Sequence, residues 1–170
     1  MREYELRHQT DKKLSPGKFY PLGATPTGDG VNFAIYSHTA TEVCLLLFDT
    51  VGGQPSDVIR MENRTKFIWH TLVHGLKAGQ LYGYKMRGEY NPAYGMRFNE
   101  HKLLMDPYAK AIGGRDVWGV TPDWNNVYPH RARIVHDDFG PHGLDSLQDP
   151  VGQDRAGRSL RRGYGQRPGD

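Results

Sequence analysis

The stretch Glu42-Val43-Cys44-Leu45-Leu46-Leu47-Phe48-Asp49 sets six consecutive apolar side chains between two carboxylates. It is short for a packed helix and far below the roughly 18 to 20 residues that cross a bilayer, so it reads as a central strand covered on both faces. Upstream, Val31-Asn32-Phe33-Ala34-Ile35-Tyr36 alternates. Val31, Phe33 and Ile35 share one face and Asn32, Ala34 and Tyr36 the other, as in a half-buried strand. Downstream, residues 57–62, 67–73 and 81–87 continue the series, the last with Tyr82, Tyr84 and Met86 on one side. Gly52-Gly53, Glu62-Asn63-Arg64 and residues 75–79 separate these runs. Short strands about ten residues apart, punctuated by Gly and Asn, predict an all-β fold, an immunoglobulin-like β-sandwich.

Outside this core the pattern changes. Residues 1–29 are polar and then rich in turn formers (Pro16-Gly17, Pro21-Leu22-Gly23, Gly28-Asp29-Gly30), which predicts an extended lead-in. After Gly88 a loop-rich extension begins, and Pro107 within residues 102–112 suggests a short helical turn. The expected organisation is an N-terminal extension over 1–14, the sandwich over 15–112, a linker over 113–139 and a disordered Gly/Arg-rich tail over 140–170.

Length and charge narrow the function. A chain of 170 residues is smaller than the roughly 250 of a (β/α)₈ barrel. The net charge of +3 arises entirely in residues 151–170, with five Arg and two Asp, while the remainder carries 17 bases and 17 acids. A domain-wide basic face for nucleic acid is therefore not expected, and nucleic-acid binding through the tail ranks last among the functions weighed. One cysteine, Cys44, excludes an intramolecular disulfide and reads as a buried structural thiol. The N-terminus lacks the apolar run of a signal peptide, so a cytoplasmic protein without a membrane partner is expected.

The chemical motifs fail one by one. His70 and His74 have zincin spacing, but position 71 is Thr where the base should be Glu. On a strand at about 3.3 Å per residue the pair lies too far apart to share a metal, and no metal site is expected. Gly28-Asp29-Gly30 opens like a dinucleotide fingerprint but lacks the third glycine and precedes a strand. No Gly-x-Ser-x-Gly occurs, and Glu89, Asp106, Asp137 and Asp138 are carboxylates without a reason to pair. The aromatics Trp69, Tyr84, Tyr90, Tyr94, Trp118 and Trp124 can serve either as core or as flat platforms for sugar rings.

Pro21-Leu22-Gly23-Ala24-Thr25, Gly30 with the alternating run to Ser37, the run from Val43 to Asp49, and above all Gly83-Tyr84-Lys85-Met86-Arg87-Gly88-Glu89-Tyr90-Asn91-Pro92 form an ordered series. Gly95-Met96-Arg97-Phe98-Asn99 and Leu103-Leu104-Met105-Asp106-Pro107-Tyr108-Ala109 complete it. The series resembles the amino-terminal region of the isoamylase-type glycogen debranching enzymes of the α-amylase superfamily, over residues 15–112 and more weakly to 139. The resemblance implies a carbohydrate-binding sandwich of the glycogen- and starch-binding type. In that family it precedes a barrel that hydrolyses α-1,6 branches with an Asp nucleophile and a Glu acid/base. Those catalytic residues have no matching positions here, so the chain itself is not expected to be an enzyme, and no cofactor is implied.

Glycogen-binding relatives use a lysine and a tryptophan in the block that Lys85 and Tyr90 occupy here, so Lys85 matches and Tyr90 replaces the tryptophan. Lys85, Tyr90 and Trp69 are the candidate contacts for an α-glucan such as glycogen or a starch-like oligosaccharide. A second stacking tryptophan has no counterpart near residues 49–53, and losing one platform implies binding weaker by about tenfold. Arg97, Phe98, Asn99, Asp106 and Tyr108 are candidates for contact with a catalytic barrel. The alternative is a scaffold or interaction sandwich without glucan affinity. Past residue 139 the series departs from the family, which leads us to expect a truncated or frame-shifted product.

Overall fold

The computed structural model describes residues 7–114 and 130–136. These lie in one compact unit, residues 1–136. Trp118, Trp124, Asp137, Asp138, most of the expected linker and the whole expected tail lie outside the described residues.

The strands are β1 (Leu14–Ser15), β2 (Gly23–Thr27), β3 (Gly30–Tyr36), β4 (Glu42–Phe48), β5 (Pro55–Arg60), β6 (Asn63–Thr65) and β7 (Ile68–His74). They continue with β8 (Leu81–Arg87), β9 (Tyr90–Asn91), β10 (Met96–Arg97), β11 (Ala111–Gly113) and β12 (Arg131–Arg133). One antiparallel sheet runs β1-β7-β3-β2, with β6 also on β7; the other runs β11-β12-β8-β4-β5. The all-β sandwich expected from the sequence is what the chain forms.

The sheets meet through their alternating inner faces. Val31, Phe33, Ile35, Trp69 and Val73 from one sheet join Val43, Leu45, Leu47, Tyr82, Tyr84 and Met86 from the other in a single buried cluster. Phe33 meets Tyr82 edge to face across the core, with ring centroids 5.2 Å apart. Such a contact adds about 0.5–1.5 kcal/mol to the area buried.

β4 is buried on both faces, as its composition requires. Its outward residues Cys44, Leu46 and Phe48 form a second apolar cluster with Val58 and Leu81, against which Leu103 packs. Burial, followed by the neighbouring Glu42 carboxylate, pushes the Cys44 thiol up to about 12, so it stays an inert thiol. Residues 103–104 close over this face because Gly83 has no side chain: a Cβ there would sit 3.0 Å from Leu103 Cδ1 and 3.2 Å from the Leu104 carbonyl. Leu104 then exchanges backbone hydrogen bonds of 2.7 and 2.8 Å with Tyr84 at the edge of β8.

Four expectations change in the structure. β3 is not half-buried, since Asn32 and Ala34 are as inaccessible as the inner residues. The lead-in causes this: Asn32 Oδ1 accepts from the Lys18 N–H at 2.7 Å and its Nδ2 donates to the Lys18 carbonyl at 2.9 Å. The lead-in is also more than extended coil, because β1 pairs with β7 and β2 with β3. Within it, Gln9 and Thr10 lie on the free edge of β5, where Gln9 and Val58 exchange two 2.8 Å bonds and Thr10 Oγ1 donates to Asp57 at 2.6 Å. An edge occupied in part is blunted against pairing with other chains.

The third change is in the expected linker, where residues 131–133 form β12 between β8 and β11. Its Ala132 is buried in the main cluster. Three residues are too few to show a period, which is why the strand is not visible in the sequence. The fourth is the expected helical turn near Pro107. Here the chain makes a single turn closed by the Ala109 N–H to the Asp106 carbonyl at 3.1 Å, then enters β11.

Asp106 anchors that turn. It is 2% exposed, and its carboxylate accepts from the Tyr82 hydroxyl at 2.8 Å and the Tyr108 N–H at 2.9 Å. Burial raises its pKa and the two hydrogen bonds only partly oppose the rise. A carboxyl raised in the folded state binds its proton more tightly there than when unfolded. Its contribution to stability is therefore greatest below the unfolded value and declines as pH climbs through the folded value.

Two predictions follow from this packing. Asn32→Ala orphans both backbone groups of Lys18 and should cost about 1–3 kcal/mol, read as a lower urea midpoint with unchanged slope. Asp106→Ala should cost about 1–3 kcal/mol for each of the two donors it abandons, whereas Asp106→Asn keeps an acceptor for Tyr108. Thermal melts from about pH 4 to about pH 7 should show the unmodified protein losing stability relative to Asp106→Asn as pH rises, a difference in which His70 and Glu100, common to both, cancel.

Candidate functional site

The block from Gly88 to Leu104 builds a concave surface among the described residues. β9 and β10 pair as a two-residue ribbon, Met96 opposite Asn91 and Arg97 opposite Tyr90. Between them Pro92–Tyr94 makes one 3-10 turn, ended by Gly95 in the left-handed region at φ 76°, whose N–H bonds back to Pro92. Pro pre-sets the first turn position and Gly accepts the positive φ, so this local shape is written in the sequence.

Phe98 leaves the ribbon and returns to the sandwich, where it packs against the main core. Its ring lies directly on Gly88, at a place where any Cβ would collide with it. Asn99 then folds the chain back: its Oδ1 accepts from the His101 N–H at 3.0 Å and its carbonyl from the Lys102 N–H at 3.0 Å.

Phe98 and Asn99 form a wall shared by two grooves. One, of 410 Å³, runs between the His38–Thr39 turn and the ribbon and is lined by Tyr94, Gly95, Met96, Arg97, Lys102 and Leu104 as well. The other, of 610 Å³, is lined by Thr41, Arg87, Gly88, Tyr90, Glu100 and His101 besides the shared wall. Tyr90 and Tyr94 are among the most exposed large side chains of the described residues, at 69% and 81%. In the larger groove Arg87 is held between Glu42, at 3.3 Å, and Glu100. The hydrogen bond from Arg87 chiefly keeps the Glu100 carboxyl below its usual range, with His101 and Lys85 adding to it.

The three sugar-contact candidates are not brought together. Tyr90 is exposed beside the larger groove. Lys85 is 4% exposed, on the outward face of β8 opposite Cys44. Trp69 is 8% exposed and belongs to the core of the other sheet, with the Arg64 guanidinium 5.1 Å from its ring. As folded, neither Lys85 nor Trp69 offers a face to a sugar. The barrel-contact candidates divide as well. Arg97, Phe98 and Asn99 line the grooves, Asp106 is buried in its structural hydrogen bonds, and Tyr108 remains 45% exposed.

The other candidate chemistry is occupied by structure. His70 Nε2 pairs with Thr65 Oγ1 at 2.8 Å and His74 Nε2 with Ser15 Oγ at 2.6 Å. Burial lowers the His70 pKa, with the Gly17 backbone opposing. No group of three His, Cys, Asp or Glu among the described residues is placed to hold a metal ion. No described helix is long and apolar enough to cross a membrane.

Sequence reasoning missed the groove wall formed by His38, Thr39 and Lys102. These polar residues lie in separate turns and carry no pattern of their own. The exposed pair Tyr36 and Phe67, with ring centroids 6.3 Å apart, was equally hidden. Tyr36 has only its place on the outward side of an alternating strand as a signal.

Comparison with known proteins places the chain. Among curated proteins, the glycogen debranching enzyme of Serratia proteamaculans is 47% identical over 103 residues, which are 60% of this chain and 15% of that enzyme. The glycogen operon protein GlgX homolog of Mycobacterium bovis is 36% identical over 132 residues, 78% of this chain and 17% of the relative. The chain thus spans about a sixth of the length of the relatives it matches. Among solved structures, the pullulanase of Paenibacillus barengoltzii, in complex with maltohexaose and alpha-cyclodextrin, superposes with a TM-score of 0.53 at 23% identity. That match covers 77% of this chain and 17% of the pullulanase, and at this identity it speaks for the fold alone. The family model for carbohydrate-binding module 48, the isoamylase N-terminal domain, matches residues 21–109, which run from the cis Tyr20-Pro21 bond through the ribbon to the Asp106 turn. With over half of its residues matched in this way, the chain belongs to the carbohydrate-binding module 48 (isoamylase N-terminal domain) family.

Proposed function

We propose that this chain is the non-catalytic, glucan-contacting part of a glycogen debranching glycoside hydrolase that acts on α-1,6 branches, and that it binds α-glucan weakly through the ribbon surface. The observation that supports this reading most directly is the exposure of Tyr90 and Tyr94 on either side of two adjoining grooves. A sugar ring offers an apolar C–H face to a flat aromatic, and neighbouring polar groups bond its hydroxyls. Thr41, Asn99 and His101 supply such groups beside Tyr90. Lys85 and Trp69 leave the proposal because both are buried, Trp69 within the core.

A second role, bracing a catalytic barrel, is supported by a separate surface. The backbone of Gly23 lies against Tyr108, which joins the lead-in to the Asp106 turn. Tyr20, Met105 and Tyr108 are 73%, 46% and 45% exposed in these two segments. Large apolar side chains left exposed in two segments that touch are the kind of surface a partner covers.

Retention on insoluble starch or glycogen tests the first role. The unmodified protein should be retarded, Tyr90→Ala should weaken retention about tenfold, and Tyr90→Phe should keep it. No retention of the unmodified protein would favour the scaffold reading. For the bracing role, a separately produced barrel domain of a related debranching enzyme should associate in sedimentation velocity. Tyr108→Arg should abolish the association and leave glucan retention intact.

A further inference from the structure

The smaller groove carries unmatched positive charge. Arg97 and Lys102 line it, both are exposed, and neither forms an ion pair with a carboxylate among the described residues. No Asp or Glu among the described residues lines the groove. The contrast lies just across the Phe98 wall, where Arg87 is held between Glu42 and Glu100.

A third nitrogen base, His38, stands in the opposite wall and is held in place. Its ring meets Phe67 edge to face with centroids 4.2 Å apart, and its carbonyl accepts from Arg64 Nη2 at 3.0 Å. Arg64 is itself seated over the ring of Trp69. At the groove mouth Tyr94 presents an open ring, and Thr39 and Asn99 add neutral hydrogen-bonding groups. Like charges left without counter-ions around one concavity create a positive potential there, and an entering anion relieves their repulsion.

We propose that this groove binds a phosphate monoester carried on a glucose unit, with the sugar ring on Tyr94 and the phosphate between Arg97, Lys102 and His38. This rests on the glucan-binding reading and names a chemical preference within the same ribbon surface. A phosphate monoester brings about −1.5 to −2 charge and three acceptor oxygens. It suits a guanidinium fork, an ammonium and an imidazole better than a single carboxylate does. At 410 Å³ the groove falls within the usual size of small-molecule sites.

The test is calorimetric titration of the full chain, at low salt, with glucose 6-phosphate, glucose and inorganic phosphate. Glucose 6-phosphate should bind at least about tenfold more tightly than either of the others. The double variant Arg97→Ala/Lys102→Ala should lose that preference, while Lys77→Ala, which removes an exposed charge elsewhere, should keep it. Both variants alter exposed side chains, and unchanged melting temperatures will confirm that they fold. A phosphorylated starch and its phosphatase-treated form, compared on the same proteins, separate the two sources of the ligand. Preferential retention of the phosphorylated polymer assigns a phosphoglucan, and preference confined to the monosaccharide assigns a free sugar phosphate. Equal affinity for glucose and glucose 6-phosphate, equal loss in Lys77→Ala, or no binding of any phosphate would overturn the proposal. Retention of neutral glucan that depends on Tyr90 but not on Arg97 or Lys102 would leave the glucan reading standing while this one fell.

Discussion

A strand that is apolar on both faces must be covered twice, and most of this molecule is arranged around that requirement at β4. The inner face of Val43, Leu45 and Leu47 is met by the opposing sheet, and the outer face of Cys44, Leu46 and Phe48 by Leu103 with Val58 and Leu81. Leu103 is partly buried there and contributes part of the about 1.5–3 kcal/mol of a fully buried leucine toward holding residues 99–104 over the sheet. Gly83 permits the approach and the Leu104–Tyr84 bridge locks it.

The lead-in serves a related need on the other side. Asn32 is a buried amide in the middle of a sheet, and its amide oxygen and nitrogen are matched by the backbone of Lys18. Because an orphaned buried group costs about 1–3 kcal/mol, the segment before β2 is tied to the face of one sheet. A few residues earlier it is tied to the edge of the other through Gln9 and Thr10. Asp106 repeats the arrangement in the extension, where one carboxylate joins the hydroxyl of a core tyrosine to the backbone of a turn. Polar side chains with complete partners thus fix how the irregular segments lie on a regular sandwich.

Legibility in the sequence followed the length and regularity of each element. β3, β4, β7 and β8 have seven residues each, long enough for period-two alternation or a continuous apolar run to show. β1, β6, β11 and β12 have two or three, too few for any period, and their strand character comes from the neighbour they pair with. At the candidate site Tyr90 was legible as an aromatic in a resembling block. Lys85 and Trp69 were legible as residue types but not as buried ones, because burial depends on which segment lies on top. The groove wall of His38, Thr39 and Lys102 had no sequence signal, since it joins turns some sixty residues apart that share no pattern.

The amino-acid sequence by itself determined that this is an all-β sandwich, which strands are central, and which family the ordered blocks from Pro21 to Ala109 point to. These follow from local alternation, turn chemistry and motif order, all properties of neighbours along the chain. Only the tertiary structure decided that Trp69 and Lys85 are inside, that Asp106 is a structural carboxylate, and that Arg97 and Lys102 share a groove with His38. Those facts depend on distant segments meeting. A side chain's exposure, partners and charge environment are set by what packs against it, which no local pattern encodes.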